Sequence, residues 1–599
     1  MSFTNVQLLC VSLIAIVVYK LSKKLTAQKP LADVAGPQSE HWLKGNYHRI
    51  FQDGFDYNLQ LAEKYGGVVK IHALLGDQQL YVSDPLALYH IVVKEQTIYE
   101  ETDMGNKLIF GEGLVSTLGE QHRHQRKILN PVFSMGNMRE LLPVIQPIAN
   151  KICSIFLSEF PADGGFKEID IVPWMSRGAL EHIGQGALGH SFNALAVTVA
   201  DKDEYTSAVR NLGYYIFIYL QTKFPKENHF RATVLRLILL RPFIPIVVRN
   251  FSLHWRNKIM DWAPIPALRE LRRIVNVMDK ASKTILEKKR VEAKMGVLDS
   301  EKVGKDVMTI MLRDNADSSQ SERLTESEIL GQMNTFIFAG FETTAIALSR
   351  VFFILASRPD VQSRLRAEIR STKRARMADG DATVWQDVNL PYDVLMTMPY
   401  LDAIVRETMR VYPPSSLFGR TLRKATTLPL QYPIRTPSGS ERNSIALPAN
   451  TNIIISILAA NHNKKVWGED ASEWKPERWL NSSKDGAATD IDVGDEIMME
   501  NKSGVKYPGV YSSMMTFMGG ARACIGFKFA EMEIKQVLVT LLSSLHFGLP
   551  STPDAQGNKK EIYWKMNGLQ VPVVREPAGD GKTATVPLDV RKVNESDFE

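Results

Sequence analysis

A glycine-rich turn around one cysteine, followed at once by an amphipathic helix, constrains the fold of this chain more than any other stretch. The turn reads FMGGARACIG over residues 517–526, and the predicted helix begins just after it. Glycine lets a backbone bend sharply and approach a flat ligand closely. The amides and the partial positive charge at a helix start favour thiolate over thiol. These features make Cys524 a candidate thiolate ligand. The alternative is a buried structural cysteine, the usual fate of a free cysteine.

The chain contains three cysteines, Cys10, Cys153 and Cys524, in 599 residues. So few cysteines exclude a disulfide framework, and no Cys/His cluster has the spacing of a zinc site. The net charge of +6 is small and dispersed, which argues against a nucleic-acid-binding surface. With 44% hydrophobic and 23% charged residues, the composition is that of an ordinary globular protein.

The N-terminal stretch from Phe3 to Leu21 is mostly apolar and just long enough to cross a bilayer. Lys20, Lys23, Lys24 and Lys29 follow its apolar core, while no basic group other than the N-terminus precedes it. The positive-inside tendency then places the following domain on the cytoplasmic side. A cleaved signal peptide is the alternative, but a charged n-region and a small-residue cleavage site are both missing. Residues 1–30 are therefore predicted to be a membrane anchor with a basic flank.

A long apolar helix is predicted to begin at the capping box Thr325-Glu-Ser-Glu328 and to end before Pro359. Its middle reads AGFETT over residues 339–344. The glycine weakens the helix there and threonine hydroxyls compete for backbone carbonyls, so a local opening is expected. An acid beside an alcohol in such an opening can relay protons. The alternative is a buried helix that tolerates a glycine and a charged residue at its edge.

Two further pairs of polar residues each share a helix face. Glu407 and Arg410 lie among apolar neighbours, so we expect them to be buried with a further charged partner such as Arg478 in the segment PERW. His122 and Arg126 lie one helical turn apart, and two donors on one face can hold an anion. Spacing alone favours a solvated basic helix at His122 and Arg126.

Other segments yield coarser predictions. Residues 68–75 and 79–82 are predicted to be strands around a Gly76-Asp77 turn. The apolar and basic stretch 214–262 fits either a core segment or a membrane-contacting lid. Residues 481–506 are predicted to be a polar surface insertion, and residues 576–599 a disordered tail. Helical spacing predicts a set of core residues: Leu141, Ile145, Ile148, Ile152 and Ile155.

The spacing F-x-x-G-x-R-x-C-x-G resembles the heme-binding loop of the cytochrome P-450 superfamily. AGFETT resembles the oxygen-binding helix motif of that family, and Glu407-x-x-Arg410 with PERW resembles its paired structural motifs, in the same order. The resemblance covers roughly residues 35–575 and is to the microsomal eukaryotic type, most of all to fungal members. The family usually has Trp at the position of His122, where several fungal members carry His.

This resemblance implies a mainly α fold with small β-sheets, in one heme domain at residues 31–575 behind an N-terminal transmembrane helix. It implies heme b as the cofactor, with Cys524 as the axial ligand of the iron. The other implied roles are these: Glu342 and Thr343 deliver protons; His122, Arg126, Arg420 and Arg522 hold the heme propionates; Phe517 and Gly526 complete the cofactor loop; Glu407, Arg410 and Arg478 form a structural network; and Ala339, Ser415, Ser416 and Leu417 line the substrate pocket.

The implied activity is monooxygenation, in which two electrons and O2 insert one oxygen atom into a lipophilic molecule and release water. No Rossmann-type glycine motif or flavin module is evident, so NADPH is expected to act through a partner reductase in the same endoplasmic reticulum membrane. Lys127, Lys528 and Lys535 could steer an acidic partner. Two rival classes remain, a heme-thiolate isomerase or dehydratase that needs no reductase and a non-catalytic heme sensor or electron carrier. The sequence does not define the substrate, which is expected to be of secondary-metabolite or xenobiotic type.

Overall fold

The computed structural model describes residues 31–597 except 52–53, 102–105, 161–164, 197–204, 206–207, 210–246, 248–249, 263–265, 296–304, 318–322, 378–382, 481–504, 512–513 and 595–596. The predicted anchor, most of the polar insertion and most of the stretch 214–262 lie outside the described residues.

Helices account for most of the secondary structure in the described residues. Their bounds are α1 Tyr47–Phe51, α2 Phe55–Tyr65, α3 Pro85–Tyr89, α4 Asn106–Phe110, α5 Gly119–Val132, α6 Met135–Ser158, α7 Ile171–Glu181, α8 Leu253–Trp262, α9 Pro266–Lys294, α10 Val307–Asp317, α11 Glu326–Ser357, α12 Pro359–Met377, α13 Tyr392–Thr397, α14 Pro399–Val411, α15 Ile457–Asn461, α16 Lys464–Trp467, α17 Glu477–Leu480 and α18 Phe527–Ser544. Short π-helical turns, His90–Lys94 and His182–Ala187, extend α3 and α7.

The strands form four small sheets. Their bounds are β1 Val68–His72, β2 Gln78–Val82, β3 Tyr99–Glu101, β4 Lys167–Asp170, β5 Leu417–Leu422, β6 Thr426–Arg435, β7 Glu441–Leu447, β8 Asn452–Ser456, β9 Leu545–Gly548, β10 Ile562–Asn567, β11 Leu569–Val574 and β12 Pro587–Lys592. The strand orders are β1-β2-β8-β5-β3 and β4-β12-β9, with β6-β7 and β10-β11 as separate hairpins. The predicted fold class, mainly α with small β-sheets, is confirmed. The two strands predicted around the Gly76-Asp77 turn are β1 and β2, which pair antiparallel, but β1 ends at His72 and a short 3-10 turn, Leu74–Gly76, replaces the end of the predicted strand.

The predicted capping box and long helix are confirmed in α11. The Thr325 side chain accepts from the Glu328 amide, and the Glu328 carboxylate accepts from the Thr325 amide. The local opening predicted at AGFETT is wrong, because α11 runs without a break from Glu326 to Ser357. Gly340 instead allows α11 to pack closely against the π-helical turn His182–Ala187, since a Cβ at position 340 would collide with the side chain of Ile183.

Helices α6 and α11 form the centre of the main hydrophobic core. The core residues predicted on α6 from their helical spacing are buried, as expected. In the described part of the chain, α6 and α11 are also the two helices long and apolar enough to cross a membrane. More than half of each apolar window is buried inside the protein, at 56% and 61%, which is the behaviour of core helices.

The C-terminal segment contradicts the prediction of a disordered tail at residues 576–599. Strand β12 is the central strand of a three-stranded sheet, pairing antiparallel with β4 on one side and β9 on the other. Leu588 and Val590 are fully buried by this pairing. The strand β12 is ordered because it pairs with β4 and β9, and the composition of the segment 576–599 gives no sign of that pairing.

Candidate active site

The cysteine loop is held in a tight conformation that only glycine permits at two positions. Gly520 has a φ of +67°, and a Cβ there would collide with the carbonyl oxygen of Val92. A Cβ at Gly519 would collide with the carbonyl oxygen of Pro508. The Cys524 amide donates to the Phe517 carbonyl at 2.8 Å, which closes the turn before α18 begins.

Cys524 faces the interior and keeps exposed surface there. Burial among protein atoms raises the pKa of its thiol, while a hydrogen bond from the Gly526 amide and the charge of Arg126 oppose that rise. Both opposing effects favour the thiolate. Cys153 differs, because its side chain is buried in the core and burial raises the pKa of its thiol to about 11. Of these two cysteines, only Cys524 combines accessible sulfur with groups that stabilise a thiolate.

Three arginines, called here the arginine cluster, surround the loop: Arg126 from α5, Arg420 from β5 and Arg522 from the loop itself. The Arg126 Nη1 donates to the Ala523 carbonyl at 2.7 Å. The Arg522 guanidinium donates to two carbonyls of the segment 113–117, and the Nη1 contact is 3.2 Å long. These bonds fix the loop against the start of α5. The structure therefore brings the arginine cluster together at the cysteine loop, and the charges of Arg522 and Arg126 also act on His122, the fourth residue predicted to hold the propionates.

His122, the fourth of those residues, is buried on α5. Burial, together with the charges of Arg522 and Arg126, lowers the pKa of His122 to about 3. The imidazole is therefore neutral at physiological pH and can act as a polar neighbour but not as a cation. Sequence spacing alone had favoured a solvated helix face, and the structure places this histidine inside the domain instead.

Glu101 belongs to the same group of charges, although no sequence pattern identified it. Its carboxylate oxygens lie 3.4 Å from Arg420 Nη2 and 3.5 Å from Arg522 Nη1. The register of β3 against β5 puts Glu101 directly opposite Arg420. This pairing joins segments more than three hundred residues apart and has no local signal in the sequence.

In the middle of α11, several residues between 338 and 343 keep exposed surface, whereas residues 331–337 and 344–352 on either side are buried. Ala339 is exposed, while Gly340, Glu342 and Thr343 are half-buried. Burial raises the pKa of Glu342 to about 7, so its carboxyl can exchange a proton near neutral pH. The Thr343 Oγ1 donates to the Ala339 carbonyl at 2.7 Å, a bond made one helical turn back.

The residues predicted to line a substrate pocket behave in two ways. Ser415 and Leu417 are half-buried, and Ser415 forms an isolated β-bridge with Leu569. Ser416 is fully buried, and its hydroxyl donates to the Pro413 carbonyl at 3.2 Å. Because its side chain points into the protein, the assignment of Ser416 as a pocket-lining residue is wrong.

Glu407 lies at the centre of a dense buried network. Its two carboxylate oxygens accept from Arg410 Nε and Nη2, both at 2.8 Å, and from Arg478 Nε at 2.9 Å. The Trp479 indole and the Lys475 amide donate to the same carboxylate. The structure thus brings the three predicted network residues together, and it adds two donors that the sequence did not indicate.

The lysines predicted to steer a partner do not share one environment. Lys127 is exposed and Lys528 is half-buried. Lys535 is 1% exposed, and its Nζ donates to Asp402 at 2.7 Å and to the Met396 carbonyl at 3.0 Å. Lys535 therefore cannot attract a partner at the surface, because its position on α18 turns it towards α13 and α14.

Comparison with known proteins gives a consistent result. A family model described as Cytochrome P450 matches residues 35–236 and 246–573. The chain is 39% identical to Cytochrome P450 monooxygenase 91 of Postia placenta over 572 residues, which cover 94% of each chain. It is 37% identical to Cytochrome P450 monooxygenase 219 of the same fungus, over 96% of each chain. Ganoderic acid synthetase CYP5150L8 of Ganoderma lucidum is 34% identical over 91% of this chain and 92% of its own.

Proposed function

Because the chain belongs to the cytochrome P450 family of monooxygenases, we propose that it inserts one oxygen atom from O2 into a lipophilic small molecule. We further propose that the electrons come from NADPH through a separate flavoprotein reductase. The observation that carries this proposal is the arrangement of Cys524 within a glycine-shaped turn, beside the arginine cluster, in which Arg420 is buried and Arg126 and Arg522 are half-buried. One relative is named as a ganoderic acid synthetase, which supports a substrate of the secondary-metabolite type.

The residues at the site fit a heme. Cys524 offers an accessible sulfur that would ligate the iron of a bound heme, and that iron would supply the activation of O2. The arginine cluster carries three positive charges and Glu101 one negative charge, which leaves a net charge of +2. That net charge is equal and opposite to the charge of two ionised heme propionates. We propose that the arginine cluster and His122 hold the propionates, with Glu101 setting the position of two of the arginines.

We propose that Glu342 and Thr343 handle protons for this reaction. Each turnover consumes one substrate molecule, O2, two electrons and two protons, and forms the hydroxylated product and one water. The raised pKa of Glu342 lets its carboxyl give up and regain a proton near neutral pH. Thr343 follows Glu342 in sequence on the accessible stretch of α11, and its hydroxyl oxygen can orient the water that carries the proton.

Replacing Thr343 with Ala should leave heme binding intact while diverting electrons from product to hydrogen peroxide. Without a positioned hydroxyl, O2, two electrons and two protons leave together as H2O2 instead of forming product and water. Loss of a positioned proton donor costs about 10²–10⁴-fold in rate, although water can replace part of the effect. The measurement is the fraction of consumed NADPH recovered as H2O2, with the reductase and a bound lipophilic compound present.

Two variants control for the helix itself. Ser349→Ala removes the same kind of bond from α11, because the buried Ser349 hydroxyl donates to the Ala345 carbonyl at 2.7 Å. Thr343→Ser keeps the hydroxyl and should stay coupled. Equal peroxide yields from Thr343→Ala and Ser349→Ala would reduce Thr343 to a helix-stabilising residue. Turnover without any reductase would favour the isomerase or dehydratase instead.

We propose that residues 1–30 anchor the protein in the endoplasmic reticulum membrane, with the heme domain on the cytoplasmic side. The support is the apolar stretch followed by lysines near the N-terminus. Removing residues 1–30 should release most of the protein from membranes with its heme retained, as fractionation and absorbance spectra would measure. Loss of heme on truncation would instead make this segment part of the folded domain.

A further inference from the structure

A buried arginine lies on α11 about two turns beyond Thr343. Arg350 is 7% exposed, and its guanidinium carbon lies 3.6 Å from the centre of the Trp564 ring and 4.1 Å from that of Tyr412. Burial lowers the pKa of Arg350 to about 9, so the group stays charged at neutral pH. Among the described residues it has no carboxylate partner.

Such a placement is costly, because a buried charge normally requires an opposite charge. Two aromatic faces repay part of that cost through cation–π attraction. Only a planar guanidinium can stack on both rings at once, so lysine would not substitute. Within the described part of the chain, however, neither the Arg350 Nε nor the Trp564 indole nitrogen has a hydrogen-bond partner. A site that served only to fill the core would be better occupied by an apolar residue.

The polar contacts of Arg350 lead to the segment 413–417. Its Nη2 donates to the Gln570 Oε1 at 2.9 Å. The Gln570 Nε2 donates in turn to the Pro413 carbonyl at 3.1 Å, and the Gln570 amide donates to the Pro414 carbonyl at 3.2 Å. The Arg350 guanidinium is thus linked through a single residue, Gln570, to the backbone of the segment that contains Ser415 and Leu417.

The stacking contact of Arg350 with Trp564 also connects it to the segment 413–417, through a β-hairpin. Trp564 belongs to β10 and Gln570 to β11, the two strands of one hairpin. That hairpin touches the segment 413–417 again where Leu569 bridges Ser415. We call the segment 413–417 and the hairpin Ile562–Val574 together the pocket wall. Arg350 is in contact with both of its strands and, through Gln570, with its segment.

We propose that Arg350 is a specificity-determining positioning residue, whose buried guanidinium sets the distance between α11 and the pocket wall. This inference rests on the proposed function, since it takes Leu417 and the accessible stretch of α11 as opposite sides of one substrate pocket. Arg350 touches neither substrate nor heme in this arrangement. It acts through Gln570, Tyr412 and Trp564.

The test compares two ligands that bind heme iron through the same kind of nitrogen but differ in size. Imidazole reaches the iron without needing the pocket wall, whereas clotrimazole fills the pocket and contacts its sides. Spectral titration of the full-length holoprotein gives a dissociation constant for each. Arg350→Met should weaken clotrimazole binding at least about fivefold, the scale of one lost buried contact, and leave imidazole binding within twofold. Arg350→Lys should resemble Arg350→Met, because the double stacking is lost although the charge stays.

Arg366 provides a matched control on α12. It is fully buried, donates to the Gln362 side chain at 2.9 Å and to the carbonyls of Leu542 and Leu545, and contacts no part of the pocket wall in these bonds. Arg366→Met should lower the thermal unfolding midpoint without changing the ratio of the two dissociation constants. A milder variant, Gln570→Leu, breaks the link from Arg350 to Pro413 and keeps the arginine.

The outcomes separate this inference from the proposed function. If neither ligand shifts the spectrum of the unmodified protein, the heme site itself is wrong. If both bind normally but the ratio is unchanged in Arg350→Met, or in Gln570→Leu where Arg350→Met does not fold, Arg350 does not position the pocket wall. An equal change of the ratio in Arg366→Met would also overturn the inference, because general destabilisation would then explain it.

Discussion

Replacing Glu407 with Gln should lower the free energy of unfolding by about 3–5 kcal/mol, the usual cost of breaking a buried ion pair. Glu407 and Arg410 are both fully buried, so loss of the carboxylate charge leaves a cation in the interior without its counter-charge. The remaining Arg410 donors are bound to the carbonyls of Asn461, Ala471 and Glu473, so the guanidinium cannot turn to solvent. Thermal unfolding of the purified protein, followed together with heme release, measures the loss.

Glu477→Gln is the matched control, because Glu477 lies only two residues before Trp479 and has the same chemistry. Its pair with Arg364 is 3.1 Å long but about half exposed on both sides. Exposed pairs contribute about 0–1 kcal/mol, so this variant should unfold close to the unmodified protein. Similar stability of the Glu407→Gln and Glu477→Gln variants would show that the buried Glu407 network does not stabilise the folded protein.

The Glu407 network also predicts a pH dependence. Burial alone would raise the pKa of Glu407, but the hydrogen bonds and charge of Arg410 outweigh it and lower the pKa below its ordinary value. A carboxylate with a lowered pKa in the folded state stabilises the protein above its unfolded pKa. That stabilisation is lost as the pH falls through the folded value, so the Glu407 contribution should disappear in acid.

The sequence was informative where a short local pattern determines the geometry. The glycines and the cysteine of the loop 517–526 predicted the turn, and the apolar spacing after them predicted the helix, because both patterns involve residues close together in the sequence. The same holds for the capping box at Thr325, whose two reciprocal bonds span three residues. Helical spacing placed the α6 residues in the core for the same reason.

Long-range pairing limited the rest of the prediction. Glu101 meets Arg420 only because β3 pairs with β5, and β12 is ordered only because β4 and β9 flank it. Lys535 was predicted to be a surface cation. It is buried against Asp402 of another helix, and nothing near Lys535 in the sequence indicates that partner. In each case at least one stabilising partner lies more than a hundred residues away, beyond the reach of periodicity or composition.

The middle of α11 shows a different kind of limit. Gly340 predicted a local opening, because glycine weakens a helix, yet the same residue is equally suited to a close helix contact. The side chain of Ile183 decides between the two possibilities, and nothing near Gly340 in the sequence points to it. The roles of Glu342 and Thr343 stay predictions, supported by their exposure and by the raised pKa of the glutamate.

Cys524→Ala should abolish the thiolate-type spectrum of the reduced, CO-bound protein, which is the largest effect expected of any single substitution here. Removing the sulfur removes the only group of the loop that can form a thiolate, and an alanine methyl group offers no replacement. Cys153→Ala is the control in the described core, since the raised pKa of that buried thiol keeps it protonated. Cys10→Ala completes the set, because Cys10 lies in the predicted anchor.

The CO-difference spectrum of these three variants tests the heme-thiolate assignment most directly. The account predicts that Cys153→Ala and Cys10→Ala keep the thiolate-type band, while Cys524→Ala loses it even when heme is supplied during expression. Retention of the band in Cys524→Ala, or its loss in Cys153→Ala alone, would contradict the assignment of Cys524 as the axial ligand.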